Sequence, residues 1–132
     1  KTVLVHIDLI GGLSSREVAV DFLKNTTETD GVISTKPAII KQAKELGLFA
    51  VMRFFVIDSI AFESIRRQTE SVHPDMIEVL PGVMPKIIAR ICIHSRTPVI
   101  AGGLIADKED IMAALSAGAV SISTTNQKVW FM

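Results

Sequence analysis

Short apolar runs and amphipathic stretches alternate along all 132 residues. Val3 to Ile10 is an apolar run that stops at Gly11-Gly12, and it reads as a strand. Val18, Ala19, Phe22 and Leu23 then recur at helical spacing, predicting a helix over Arg16 to Lys24 capped by Ser14 or Ser15. Gly31 to Thr35 predicts a second strand. Lys36-Pro37 opens a helix through Ile39, Ile40, Ala43 and Leu46, stopped at Gly47. Leu48 to Ile57 is a third strand. Asp58 or Ser59 caps the helix carrying Ile60, Phe62, Ile65 and Arg66. Met76 to Leu80 is a fourth strand, closed by Pro81-Gly82. A helix from Met84 or Pro85 to Ile93 follows. Pro98 to Ala101 is a strand, Lys108 to Ala117 a helix capped by Asp107, and Val120 to Ser123 the last strand. Val129 to Phe131 is expected to open a final helix.

Most of these strand runs do not alternate apolar with polar, so their strands are buried on both faces. Strict strand–helix alternation then implies an α/β fold with a parallel sheet and right-handed crossovers. An open doubly wound sheet and a TIM-type (β/α)₈ barrel both meet that description. The positions of the polar residues favour the barrel. They fall at the C-terminal ends of the strands: His6 and Asp8, Ser34 and Thr35, Arg53, Glu78, Gly102 and Gly103, Thr124 and Thr125. A barrel gathers all these ends on one mouth. A barrel needs eight units and about six are present, so residues 1–132 are expected to be one partial barrel domain lacking its first two units. About 45–50 upstream residues would supply them at this spacing. The chain opens on Lys1 already inside a strand, as a chain beginning partway into a longer protein would.

The chain is 48% hydrophobic, with 14 basic and 14 acidic residues balancing to zero. No apolar run reaches the roughly 18 residues that span a bilayer, so no membrane role is expected and the apolar excess goes to buried strands. A neutral chain has no global electrostatic drive toward nucleic acid. The single cysteine, Cys92, excludes an internal disulfide, fits a reduced cytoplasmic setting and is expected to pack in its helix. P-loop, G-x-G-x-x-G, Cys/His metal spacing and nucleophile elbow are all missing, so the residues call for no cofactor and no metal. Lys41, Lys44, Arg66, Arg67, Arg90 and Arg96 are read as a solvated face.

Two consecutive strand ends carry the candidate chemistry. Gly102 and Gly103 permit a tight turn before a helix, and Thr124, Thr125 and Asn126 add hydroxyls, an amide and backbone N–H groups. Such neighbouring turns capture a phosphate. Arg53 and Glu78 are charges within buried strands. They either pair with each other or face the mouth to meet a ligand. His6 and Asp8, two residues apart, are expected to share a strand face and line the pocket. Lys36 either neutralises an anion or lies solvated.

Five segments together resemble a known family: His6 to Leu13, Asp30 to Thr35, Ile77 to Gly82, Ala101 to Ile105 and Ala117 to Asn126. They are similar, in order and spacing, to the glycerol uptake operon antiterminator regulatory proteins. That resemblance implies a barrel-like regulator that responds to glycerol 3-phosphate and acts on the leader mRNA of a glycerol-metabolism operon. It implies that the phosphate lies on Gly102, Gly103, Thr124 and Thr125, with Glu78 or Asp8 accepting from the hydroxyls. It also implies two βα units upstream. The residues alone leave a second reading, a barrel enzyme of isomerase or aldolase type acting on a small sugar phosphate. They leave open whether the chain forms a homo-oligomer.

Overall fold

The computed structural model describes residues 1–132. Six strands form one parallel sheet: β1 (Leu4–His6), β2 (Gly31–Ser34), β3 (Phe49–Phe55), β4 (Met76–Leu80), β5 (Val99–Gly102) and β6 (Ser121–Ser123). Five helices lie between them: α1 (Glu17–Thr26), α2 (Pro37–Glu45), α3 (Ser59–Val72), α4 (Pro85–His94) and α5 (Lys108–Ser116). The strands pair in chain order, each with the next. This order decides between the two expected architectures. A doubly wound sheet reverses its strand order at a switch point, whereas an unbroken order with right-handed crossovers puts every helix on one face, as in a barrel. β1 and β6 do not pair with each other, so the closed eight-stranded barrel is not present and the sheet is a curled part of one.

Alternation along each strand separates the two faces. Val32, Ala50, Met52, Phe54, Ile77 and Val79 point to the helices. They pack there with Val20, Leu23, Ile39, Ile40, Ile65 and Ile91 in the main core. A smaller cluster of Ile88, Ala101, Ala114 and Ala119 seats α4 and α5 on the end of the sheet. The opposite face carries His6, Ile33, Val51, Arg53, Glu78 and Ile100, as the strand registers place them.

Local sequence signals explain most boundaries. Pro37 and Pro85 stand in the first turns of α2 and α4, where a missing N–H costs nothing. Asp58 caps α3 by accepting from the Ala61 N–H at 2.8 Å. Asp107 caps α5 by accepting from the Asp110 N–H at 2.9 Å. Three expectations need correction. β1 ends at His6, and Ile7–Leu9 turns away as a short 3₁₀ helix because the Asp8 carboxylate is drawn to Ser34, the last residue of β2, and Thr35 just after it. α1 is not capped by Ser14 or Ser15: Arg16 holds the N-cap position without a side-chain hydrogen bond. The final helix expected at Val129 is only a 3₁₀ turn over Gln127–Val129, capped by Asn126.

Candidate functional site

Arg53 on β3 and Glu78 on β4 stand opposite each other in register. Neighbouring residues of a parallel pair project to the same face, so the two side chains meet. Arg53 Nε donates to Glu78 Oε2 at 2.7 Å. Only 3% of the Glu78 side chain is exposed, against 18% for Arg53. The pair anticipated from sequence therefore exists, and it also faces the mouth. The two terminal amino groups of Arg53 donate to nothing within the chain, and both residues border a cavity of about 400 Å³. One carboxylate oxygen thus fixes the guanidinium while its remaining donors stay free.

The rest of the cavity wall comes from the ends of β5 and β6. Gly103, Leu104 and Ile105 line one side, and Thr124, Thr125 and Asn126 the other. The backbone N–H groups of Gly103, Leu104, Ile105, Thr124 and Thr125 find no acceptor within the chain. Gly103 has φ +81° and Leu104 φ +62°, so two successive left-handed residues turn the backbone over at the rim. Leu104 is a side chain held in a region that favours glycine, a strain typical of a ligand-facing turn.

Two parts of the expected phosphate site are arranged differently. The start of α5 is not open to an anion, because Asp107 caps it and Asp110 Oδ2 accepts from the Ala106 N–H at 2.9 Å. Two carboxylates occupy that helix end, and the unpartnered N–H groups lie in the turn before it. The polar side chains beyond β6 mostly brace the loops. Thr124 Oγ1 donates to the Ile105 carbonyl at 3.2 Å, and Asn126 Nδ2 donates to the Ala106 carbonyl at 3.1 Å. Trp130 Nε1 donates to the Thr124 carbonyl at 3.0 Å. Gly102 likewise has a neighbour the sequence did not reveal. A Cβ there would collide with Glu78 Oε1, so the glycine makes room for the carboxylate. Gly82 packs in the same way against the Gly102 backbone, and its N–H donates to the Gly103 carbonyl at 3.0 Å.

His6, Asp8 and Lys36 do not border this cavity. His6 is on the Arg53 and Glu78 face, with both ring nitrogens buried and unpartnered. Burial, then the Arg53 charge, push its pKa below the ordinary 6.5, against the opposing pull of Asp8 and Glu78. The expectation that His6 and Asp8 share a strand face fails, since Asp8 lies in the 3₁₀ turn. Asp8 accepts from Ser34 Oγ at 2.8 Å, from the Thr35 N–H at 2.8 Å and from Thr35 Oγ1 at 3.0 Å. Burial alone would raise its pKa. These hydrogen bonds outweigh it, and the carboxyl titrates below its usual range. Lys36 is exposed at the N-cap of α2. Leu80, Leu104, Ile105 and Ser123 also line the cavity without having been singled out. Their positions at or just past the strand ends were the available signal.

The expected solvated cations are partly paired. Lys44 meets Asp75 at 2.7 Å, Arg66 meets Glu70 at 2.8 Å, and Arg90 lies 4.6 Å over the Phe62 ring. No helix is long and apolar enough to cross a membrane.

A parallel sheet in barrel order, with a cavity at the C-terminal ends of its strands, defines a barrel-type α/β protein with unpartnered backbone donors at its rim. Residues 1–130 match the family model of the glycerol-3-phosphate responsive antiterminator, and the chain belongs to that family. It is 47% identical to YgcP of Escherichia coli (strain K12) over 130 residues, which are 98% of this chain and 68% of that protein. Among solved structures it is similar to the glycerol uptake operon antiterminator regulatory protein of Listeria monocytogenes. There the TM-score is 0.95 at 38% identity, over 99% of this chain and 71% of that one. A glycerol uptake operon antiterminator-related protein of Thermotoga maritima gives a TM-score of 0.87 at 38% identity, covering 100% and 74%. An aldolase at 15% identity and TM-score 0.73, over 92% of this chain and 66% of that one, shares the fold alone.

Proposed function

We propose that this chain binds glycerol 3-phosphate at the cavity beyond β5 and β6 and uses it as a signal. In this reading it is a regulator, not an enzyme. It acts in the cytoplasm on the leader mRNA of a glycerol-metabolism operon and prevents premature termination. The carrying observation is that residues with unpartnered donors border one cavity: Gly103, Leu104, Ile105, Thr124 and Thr125 through their backbone N–H groups, and Arg53 through its two terminal amino groups. Such donors suit a phosphate, whose oxygens only accept. The cavity of about 400 Å³ leaves space beside the phosphate for a three-carbon chain, with Glu78 within reach of its hydroxyls. Gly102 supports the site by admitting Glu78, and Asn126 by tying the two rim loops together. His6 lies on the Arg53 and Glu78 face of the sheet but, with both ring nitrogens buried and outside the cavity wall, fits a structural role. Asp8 and Lys36 fit a structural role and a solvated one better than direct contact.

Calorimetry with glycerol 3-phosphate against plain glycerol tests the reading. Binding of the ester at least about 100-fold tighter than glycerol is expected from a charge-assisted phosphate site; equal affinities would overturn it. The RNA half is tested by leader-RNA binding measured over a salt series. Binding that strengthens with the ester and weakens with salt is expected. Binding indifferent to the ester would overturn the regulatory link.

A further inference from the structure

Glu78 is the buried charged residue of this fold, and only one of its oxygens is used. Oε2 accepts from Arg53 Nε. Oε1 receives no hydrogen bond from the chain. It is not sealed off either: the buried side-chain polar atoms without partners are the two ring nitrogens of His6, and Glu78 borders the cavity. An acceptor held this deep and left open toward a ligand requires a donor from that ligand.

An ionised carboxylate accepts and cannot donate. A ligand hydroxyl satisfies Oε1 by donating to it. A ligand carbonyl only accepts, and two acceptors brought together repel. Position then says which ligand oxygen is read. Oε1 lies against Gly102, and the N–H of the next residue, Gly103, is unpartnered and on the cavity wall, where the phosphate reading above puts the ligand. One residue therefore separates the two contacts, which matches the oxygen on the carbon next to the phosphate-bearing one.

We infer that Glu78 makes this site selective for an alcohol over a carbonyl at that carbon. It admits the reduced three-carbon phosphate ester and rejects the keto one. The inference rests on the phosphate reading above and adds what is read beside the phosphate: the reduction state of the carbon chain. The site thus reports the alcohol produced or consumed by a hydride-transfer reaction, not the total pool of three-carbon phosphates.

The test is calorimetry on the full chain with glycerol 3-phosphate, dihydroxyacetone phosphate, 3-hydroxypropyl phosphate and inorganic phosphate. The keto ester, and the ester lacking the middle hydroxyl, should each bind about 10- to 100-fold more weakly than glycerol 3-phosphate. Glu78→Gln, whose amide both donates and accepts, should narrow the alcohol-to-ketone ratio to within about threefold. If Glu78→Gln does not fold, the wild-type ratio alone decides. Equal wild-type affinity for the alcohol and keto esters overturns this inference and leaves the phosphate site standing. Failure of every phosphate compound to bind overturns the site reading and this inference with it.

Discussion

Glu78 lies against Gly102 so closely that no Cβ fits between them. Two strands thereby place a carboxylate next to the turn whose N–H groups are unpartnered. Gly102→Ala must push the carboxylate aside and strain the Arg53 contact. A loss of about 1–3 kcal/mol of stability is expected in denaturant unfolding, as for overpacked sites. Affinity for glycerol 3-phosphate should also fall about tenfold or more, since displaced donors no longer converge. Unchanged affinity would show that Glu78 and the turn act independently.

Removing either charge of the pair should have unequal consequences. Arg53→Ala strands a carboxylate with 3% of its side chain exposed, a cost of about 3–5 kcal/mol. Arg53→Lys keeps a charge but cannot hold Nε on Glu78 while presenting two amino groups to the cavity. It should be the milder change in stability and still weaken the phosphate ester markedly. Chemical denaturation and calorimetry on the two variants separate these effects.

Asp8 should prove to be a brace. Its oxygens are occupied by Ser34 and Thr35, so Asp8→Ala leaves those donors unpartnered and costs about 2–3 kcal/mol. Affinity for glycerol 3-phosphate should stay within about threefold in the folded fraction, because Asp8 does not border the cavity. A large affinity loss with little loss of stability would reverse the assignment.

Acid should destabilise the fold in two stages. The His6 pKa is lowered in the folded state, by burial first and Arg53 second. Below the ordinary 6.5 the unfolded chain therefore takes up a proton that the folded chain resists, and the stability present above that pH is lost beneath it. Asp8 is lowered as well, so a further loss begins as pH falls through the carboxylate range. Thermal midpoints should drop between about pH 7 and about pH 5, and His6→Leu should flatten the upper part of that drop. A midpoint that rises on acidification would contradict the His6 environment.

Much of the fold was legible because it is written locally. β4 and the caps of α3 and α5 were set by Met76 to Leu80, Asp58 and Asp107, residues that act on their own neighbours. The resemblance carried by Ile77 to Gly82 and Ala101 to Ile105 led to the right family. What the sequence hid depends on partners far along the chain. Nothing near Asp8 announces that Ser34 and Thr35 will claim its oxygens and end β1 early. Nothing near Gly102 shows that Glu78 is the group it accommodates. The helix start at Lys108 resembled an anion site, but Asp107 and Asp110 face its N–H groups. The loop-bracing bonds of Thr124 and Asn126 appear only once β5 and β6 lie side by side.

Trp130 is the one tryptophan in a chain without tyrosine, and its indole is tied to the Thr124 carbonyl on the cavity wall. Intrinsic emission excited at the indole band therefore comes from a single chromophore joined to a loop that lines the cavity. Any rearrangement of that loop registers as a change in its colour or intensity, with no label attached. The protein carries its own optical gauge, and it can be read in the same cuvette in which ligand or RNA is added.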